Sequence, residues 1–303
     1  MNTKKQKKQP SGKKANPTRG GWLLICGAFS ACALTAVWIY YGQSKPEQEV
    51  APPIPEVTVQ VEQPFQEDPE DVSFDYISLK TPICHPSNPR QIIHHTGFSV
   101  SYNEGWRLPN WVAYEMTREK TVGGSERKNN FTKDPHVIGA IASADDYKYS
   151  GYDRGHMAPA ADMKWDDIAM RESFYFSNIC PQHPNLNQRG WKKLEDKIRH
   201  WAVADSAIII VCGPLVNDSC RKLGANEVVI PHAFYKVILS PFLTTPQAIG
   251  FIFKNEQATE PLLSYVVTVD SVEVVTGIDF FSALPDGIEN LIESVVDISR
   301  WDL

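Results

Sequence analysis

The chain has 303 residues, of which 42% are hydrophobic and 22% charged, and its formal net charge is −6 at pH 7. Residues 1–80 contain nine basic and nine acidic side chains, so residues 81–303 carry the whole net charge. A generally basic surface is thereby excluded, and any binding of nucleic acid must rely on local patches of positive charge.

The first 42 residues predict a basic tail followed by a membrane span. Residues 1–20 hold seven Lys and Arg and no acid, and residues 21–42 are uncharged, with Trp or Tyr near both ends. An apolar stretch of about 20 residues with such ends is typical of a transmembrane helix, and the basic tail keeps the N-terminus cytoplasmic. We predict a single-pass signal anchor, with the rest of the chain extracytoplasmic in the periplasm, at the cell surface or in an intermembrane space. A signal peptide cleaved near residues 31–36 is the alternative.

Residues 43–80 predict a linker without chemistry of its own. Six prolines interrupt it, and nine acidic residues outnumber its two lysines. Like charges and proline stiffness keep such a segment extended. The segment is therefore predicted to act as a tether.

Residues 81–303 are long enough for one globular domain with a sizeable core. Alternating or β-branched runs predict strands over residues 98–103, 111–116, 207–213, 228–239 and 248–254. A helix is predicted over residues 187–205, where an apolar stripe recurs at three- and four-residue spacing: Trp191, Leu194, Ile198 and Trp201. Strands and helices in this order indicate an α+β fold.

The sequence Asp153–Arg154–Gly155–His156 predicts a short functional loop in the middle of this domain. Glycine lets the backbone turn there, and the charged groups and imidazole can handle protons or phosphate charge. A histidine beside charged residues is by itself more often a surface residue than a catalyst. Downstream polar residues at fixed spacing favour the functional interpretation: Asn178, Gln182, Asn187, Gln188 and Glu195, together with Trp191.

DRGH followed by N…PQ…N…W…LE resembles the DNA/RNA non-specific endonucleases of the ββα-metal, or His-Me finger, superfamily. WVAY at 111–114, Arg127 and TGIDFF at 276–281 extend the resemblance over roughly residues 95–300. It implies a central antiparallel sheet flanked by helices with a ββα-metal motif. It also implies DNA and RNA as substrates, products with 5′-phosphate ends, and Mg²⁺ as cofactor, with Mn²⁺ or another divalent cation as the alternative. A homodimer is a candidate assembly.

Phosphodiester hydrolysis needs a base, and the candidate is His156, because an imidazole titrates near neutral pH. Asn187 is the candidate metal ligand, since its amide oxygen is a hard donor suited to Mg²⁺. Glu195 lies eight residues, about 12 Å of helix, beyond Asn187, so we expect it to contact the metal's waters or to orient a basic neighbour. A helical pair with Arg199 on a solvated face is the alternative for Glu195.

Arg154 and Arg127 are the catalytic candidates for supplying positive charge to the phosphate, because a guanidinium group is planar and stays protonated. The resemblance suggests that Arg127 faces the scissile phosphate. Asp153, Asn178 and Gln182 are predicted to support the loop and the imidazole. Two basic patches flank the proposed centre and contain the candidate substrate-binding residues Arg127, Lys128, Arg189 and Lys192. The first patch comprises Arg118, Lys120, Arg127, Lys128 and Lys133, and the second Arg189, Lys192, Lys193, Lys197 and Arg199.

Four cysteines lie outside the predicted span, without the spacing of a zinc site: Cys84, Cys180, Cys212 and Cys220. In an oxidising compartment Cys212 could pair with Cys220 and Cys84 with Cys180, and buried free thiols are the alternative.

The resulting prediction is a membrane-anchored, Mg²⁺-dependent, non-specific endonuclease acting on DNA and RNA. The alternative is a non-catalytic surface receptor that holds nucleic acid in the same groove during DNA uptake. A general base beside a metal ligand favours the enzyme, because a receptor needs neither.

Overall fold

The computed structural model describes residues 78–84 and 90–303. Its thirteen strands, numbered in chain order, are β1 Ile83–Cys84, β2 Gln91–His94, β3 Ser99–Asn103, β4 Leu108–Thr117, β5 Asp153–His156, β6 Ile179–Gln182, β7 Ala207–Leu215, β8 Lys222–Leu223, β9 Val228–Val229, β10 Ala233–Ser240, β11 Gln247–Lys254, β12 Val266–Val267 and β13 Ile278–Asp279. Its α-helices are α1 Ala144–Tyr147, α2 Asp167–Glu172, α3 Lys192–Asp205, α4 Val269–Thr276 and α5 Asp286–Ser294.

Seven strands form one antiparallel sheet in the order β12-β11-β10-β7-β4-β3-β2. Its centre is β7, in which all nine residues are buried. Three further antiparallel pairs lie outside this sheet: β1 with β13, β5 with β6, and β8 with β9. The predicted α+β class with a central antiparallel sheet is confirmed.

Two apolar cores lie on opposite faces of the sheet, because successive side chains of a strand point to opposite sides. The first core, shared with α3, includes Tyr114, Trp191, Ile198, Ile210 and Phe234. The second core, shared with α4 and α5, includes Ala113, Val211, Tyr235, Val269 and Ile292. The sheet therefore separates α3 from α4 and α5.

The predicted strands over 98–103, 111–116, 207–213 and 248–254 correspond to β3, β4, β7 and β11. The single strand predicted over 228–239 is wrong, because the chain forms β9, leaves the strand conformation at 230–232 and continues as β10. Pro231 lies in this break and has no N–H to donate to a sheet. In the predicted helix 187–205, the stripe from Trp191 to Trp201 is buried, but Leu186–Trp191 is π-helical and only the remainder is α3.

The short loop predicted for DRGH is also wrong, since these four residues are strand β5. Backbone hydrogen bonds to β6 pair the N–H and C=O groups of this strand, and the pairing orders its side chains. The π-helical segment and α3 follow β6, so the chain forms a ββα unit in this region. The unit lies on the α3 side of the sheet.

No helix within 78–84 and 90–303 is long and apolar enough to cross a membrane. The predicted span at 21–42 and the basic tail at 1–20 lie outside the described residues, as does most of the predicted linker. The last three residues of that linker, Ser78–Lys80, form a 3₁₀ turn whose Leu79 is buried in the second core.

In the described part of the chain the cysteines are free thiols, so no disulfide joins the pairs considered among Cys84, Cys180, Cys212 and Cys220. Cys84, Cys180 and Cys212 are buried, and burial raises the pKa of each thiol. The Cys212 thiol donates a hydrogen bond to the carbonyl of Met157 at 3.2 Å. These side chains therefore act as small packing groups in the fold.

Candidate active site

Strands β5 and β6 approach each other closely at the edge of the candidate site. Gly155 in β5 pairs with Cys180 in β6, and a Cβ at position 155 would lie 2.2 Å from Oε1 of Gln182. Gln182 is fully buried and fills the space above the glycine. Glycine is therefore required at position 155 by a steric contact, which differs from the turn assigned to it from the sequence.

His156 ends β5 and is 8% exposed. Its ring contacts Phe131 at 5.5 Å and meets Phe174 edge-on at 5.0 Å, both measured between ring centroids. Its Nε2 is buried and has no hydrogen-bond partner. Burial first, and then the positive charges of Arg127 and Arg154, lower the pKa of His156 to about 3. The imidazole is therefore neutral at neutral pH.

Two aromatic rings bring the two arginines to this histidine. The Arg154 guanidinium lies 4.1 Å from the ring centroid of Phe131, and that of Arg127 lies 5.4 Å from the ring centroid of Phe174. A guanidinium over an aromatic face is attracted by the negative charge of that face. Both arginines are exposed, and although Arg127 Nε donates a hydrogen bond to Asn129 Oδ1 at 2.7 Å, the terminal nitrogens of its guanidinium group can still bind an anion.

Asn187 is oriented by Asp153. Oδ2 of Asp153 accepts hydrogen bonds from Asn187 Nδ2 and Gln188 Nε2, each at 2.8 Å. An ionised carboxylate only accepts hydrogen bonds, so this contact directs the amide nitrogen of Asn187 to Asp153. The amide oxygen is thereby left for another partner, which agrees with the supporting role predicted for Asp153.

Asn178 secures the chain just after His156. Its side chain accepts a hydrogen bond from Ala158 N at 2.8 Å and donates to the carbonyls of Ala158 and Ser173, each at 2.9 Å. Its backbone carbonyl accepts from Met157 N at 3.0 Å. Because Asn178 is fully buried, these bonds fix the exit from β5.

Part of the predicted site lines a cleft of about 520 Å³. Its lining includes Arg127, Asp153, Arg154 and Asn187, whereas His156 and Glu195 are outside the lining. His156 lies behind Phe131, which is itself a lining residue. The structure therefore brings the two arginines and the candidate metal ligand to one cleft, and His156 lies outside its lining, in ring contact with the lining residue Phe131.

Glu195 is half-buried and belongs to a polar cluster between α3 and the sheet. Its pKa is raised to about 7, chiefly by burial, with Lys236 opposing the shift and Asp162 adding to it. Arg199 forms its ion pairs with Asp162, at 2.6 Å, and with Asp196. The predicted pair of Glu195 with Arg199 on a solvated face is therefore not formed.

Trp191 connects this cluster to the histidine. The fully buried Lys236 ammonium lies 4.4 Å from the Trp191 ring centroid and has no hydrogen-bond partner. On the same side chain, Nε1 donates a hydrogen bond to the carbonyl of His156 at 3.3 Å. Trp191 is thus a core residue, as its spacing predicts, and also a contact between Lys236 and β5.

The two basic patches differ from a uniform positive surface. In the second patch, Lys192 pairs with Asp196 at 2.6 Å and Lys197 with Asp302 at 2.9 Å. Lys120 in the first patch pairs with Glu115 at 3.0 Å. Internal partners therefore offset much of this charge, including that of the candidate substrate-binding residue Lys192. The candidates Arg127, Lys128 and Arg189 are exposed.

Comparison with known proteins places this site in a family. The sequence model described as DNA/RNA non-specific endonuclease matches residues 80–287. The chain belongs to this family. Its curated members here are nucleases, so the chain is a hydrolase of the nuclease class.

Relatives match this endonuclease domain at moderate identity. Nuclease EXOG, mitochondrial, of Xenopus laevis is 33% identical over 283 residues, covering 88% of this chain and 73% of the relative. A nuclease of Nostoc sp. is 28% identical over 286 residues, covering 90% of this chain and 99% of the relative. The human Nuclease EXOG is 33% identical over 208 residues, and the match spans 56% of its length.

A solved structure supports the fold. A chain of the EndoG/EndoGI complex matches with a TM-score of 0.62 and 28% identity, covering 65% of this chain and 88% of that chain. The mixed fold with its central antiparallel sheet is therefore common to both.

Sequence reasoning missed the contacts of Phe131 and Phe174 with His156, and it missed Lys236. The two phenylalanines lie far from DRGH in sequence, and no spacing relates an aromatic residue to a distant imidazole. Lys236 does carry a signal, because it is the single charged residue in the apolar run AFYKVILS. A lysine in such a run is unusual unless a partner lies nearby.

Proposed function

We propose that the chain hydrolyses phosphodiester bonds of DNA and RNA without sequence preference, with His156 as general base and a divalent cation at Asn187. The observation that carries this proposal is a cleft with two exposed guanidinium groups and an oriented amide oxygen, in which the lining residue Phe131 contacts the ring of a neutral imidazole. A receptor for nucleic acid has no need of this combination.

His156 is suited to accept a proton because it is uncharged and its Nε2 has no protein partner. In this proposal Nε2 takes a proton from the attacking water as that water approaches the phosphorus atom. Phe131 and Phe174 hold the ring, and because Nε2 is buried the attacking water must reach it past these side chains. Catalytic hydrogen bonds often tighten only when substrate is bound.

Arg127 and Arg154 are assigned to the phosphate. Each guanidinium stays protonated and presents planar pairs of N–H groups that match phosphate oxygens. In this proposal the two guanidinium groups, which line the cleft, offset the negative charge that develops on the phosphate in the transition state. The exposed Lys128 and Arg189 are assigned to more distant phosphates of the same strand.

The donor set fits Mg²⁺. Mg²⁺ keeps several waters and takes one or two protein ligands, and the cleft offers the Asn187 oxygen with Asp153 as the group that orients it. When bound, such an ion supplies positive charge to the phosphate and to the leaving oxygen. Mn²⁺ is the alternative ion, since it also binds oxygen ligands. Glu195 is assigned to charge balance around Lys236, because it does not line the cleft.

The test uses the full chain with supercoiled plasmid and with RNA, in Mg²⁺ or in chelator. Both substrates should be degraded only with metal, and His156→Ala should abolish cleavage in a protein that still unfolds cooperatively. The matched control is His200→Ala, since His200 is exposed on α3 and should be dispensable. A folded wild-type chain that retards nucleic acid on a gel without cutting it, across several divalent metals, would favour the receptor instead.

We also infer that residues 21–42 anchor the chain, with the nuclease domain on the extracytoplasmic side. The support is an uncharged stretch of membrane-spanning length directly after seven basic residues. In cells, the chain should sediment with membranes, resist carbonate extraction, and be digested by protease added from the extracytoplasmic side. Release of a shortened soluble form would support the cleaved signal peptide.

A further inference from the structure

Three carboxylates meet between α4 and α5, on the sheet face opposite the candidate active site. Asp270 and Glu273 come from α4 and Glu293 from α5, and one oxygen of each lies within 4.8 Å of the others. Residues three apart in a helix share a face, which explains why the α4 pair points at one place. Two further carboxylates, Asp279 and Glu289, raise the pKa of Glu293 as well.

Glu293 makes this cluster unusual. Its side chain is 4% exposed, and its buried Oε1 has no hydrogen-bond partner. In contrast, Oε1 of Glu273 accepts a hydrogen bond from Phe280 N at 2.7 Å. A buried carboxylate oxygen without a partner is strongly unfavourable, so this unpaired oxygen, on a carboxyl group that lies beside two other carboxylates, indicates a missing positive charge.

The protein itself does not supply that charge. Within the described ranges, the ion pairs of lysine, arginine and histidine all go to other carboxylates. Burial and the neighbouring carboxylates raise the pKa of Glu293 to about 9 and that of Glu273 to about 7. The cluster thus favours any species that neutralises it.

A second group of three potential ligands behaves differently. In the cluster of His95, Asp134 and His136, the Asp134 carboxylate already accepts hydrogen bonds from His95 Nε2 at 2.9 Å, from the Ser177 hydroxyl and from His136 N. Internal hydrogen bonds therefore account for that carboxylate, whereas they do not account for Glu293.

We propose that Asp270, Glu273 and Glu293 bind a divalent cation, and that Ca²⁺ is the ion that fits them best. All the donors are oxygens, which Ca²⁺ and Mg²⁺ prefer. Ligands of one Ca²⁺ lie up to about 4.8 Å apart, twice the ion–oxygen distance, and Ca²⁺ accepts mixed one- and two-oxygen contacts from carboxylates. Asp270 is exposed, which gives the ion a route from solvent and leaves room for its waters.

A cation at this position ties α4 to α5. The two helices otherwise contact through the second apolar core, which includes Val272 and Ile292. The sheet lies between this position and the proposed nuclease centre, so the role of the ion is to stabilise the C-terminal helices. Its binding is therefore separable from the metal requirement for cleavage.

The experiment measures the thermal unfolding of the full chain carrying Asn187→Ala, which removes the proposed catalytic ligand. At pH 7.5, Ca²⁺ at about 100 times its Kd should raise the Tm by roughly 5 °C. Glu293→Gln, which keeps the side-chain size, should abolish this rise and leave the Tm without Ca²⁺ nearly unchanged, because Glu293 is protonated and uncharged at this pH when no ion is bound. Asp270→Asn, at the exposed edge, should weaken the rise and provides a second variant if position 293 does not tolerate change.

Glu256→Gln is the matched control, since Glu256 is an exposed carboxylate outside the cluster, and it should keep the full Ca²⁺-induced rise. Absence of any rise with Ca²⁺, or a full rise in Glu293→Gln, overturns the proposal. If Mg²⁺ at equal concentration gives the larger rise, the choice of Ca²⁺ is wrong. If the Tm responds to acidification but to no cation, the carboxylates share protons and no ion site exists.

Discussion

The charge state of His156 predicts a specific dependence of stability on pH. Its folded pKa is about 3, against an ordinary value of 6.5. Between these values the unfolded chain binds a proton that the folded chain excludes, so the free energy of unfolding falls as the pH falls below 6.5. The loss is about 1.4 kcal/mol per pH unit, or about 3 kcal/mol between pH 7 and pH 4.

His156→Asn removes this titration and keeps a polar side chain of similar width. The difference in unfolding free energy between wild type and His156→Asn should therefore decrease by about 3 kcal/mol from pH 7 to pH 4. Urea denaturation at a series of pH values, followed by tryptophan fluorescence, measures it. The same comparison with His200→Asn, which changes an exposed histidine on α3, is the control. A constant difference for His156→Asn would refute the neutral, buried imidazole on which the proposed mechanism rests.

Three further changes test contacts around the site. Asp153→Asn weakens the acceptor that orients the metal-binding amide, so the Mg²⁺ concentration for half-maximal plasmid cleavage should rise by about tenfold or more. Arg199→Met leaves Asp162 buried without its guanidinium partner, and urea denaturation should give a loss of about 3 kcal/mol in unfolding free energy. Gly155→Ala places a Cβ 2.2 Å from Gln182 Oε1, and should lower the unfolding free energy by about 1–3 kcal/mol.

Each change has a control within the chain. Asp218→Asn, at an exposed loop residue, should leave the Mg²⁺ requirement unchanged. Asp162→Asn combined with Arg199→Met should recover much of the stability lost by Arg199→Met, because no unpaired charge stays buried. Adding Gln182→Ala to Gly155→Ala should recover only part of the lost unfolding free energy, since Cβ of Gln182 also lies within 2.6 Å of the added atom. Unaltered behaviour of the single variants would contradict the contacts assigned to them.

Local patterns in the sequence predicted much of the fold. β7 and β11 are apolar runs of strand length, and α3 carries an apolar stripe at helical spacing, so each element follows from its own residues. The break at Pro231 follows from the missing N–H, which the apolar character of 228–239 conceals. The short strand β5 could not be predicted from DRGH, because its charged residues are ordered by pairing with β6 rather than by any local preference.

The candidate site was predictable as a set of residues but not as an arrangement. The resemblance to the endonucleases identified His156, Asn187 and Arg127 as candidates, and their roles stay predictions. Burial of His156 could not be foreseen, because it depends on Phe131 and Phe174, which tertiary packing alone brings to the imidazole. The burial is what changes the chemistry, since an exposed histidine would be partly protonated at neutral pH.

Substrate binding should raise the pKa of His156. A base with a pKa of about 3 is neutral but accepts protons weakly, and part of its low pKa comes from Arg127 and Arg154. A phosphate bound between the two guanidinium groups offsets their charge and so raises the pKa of His156 toward the working pH. The pH profile of kcat, which reports the bound complex, should then have its acidic limb at higher pH than the profile of kcat/KM. Coincident acidic limbs would mean that the phosphate binds away from these arginines, and their assignment would have to be withdrawn.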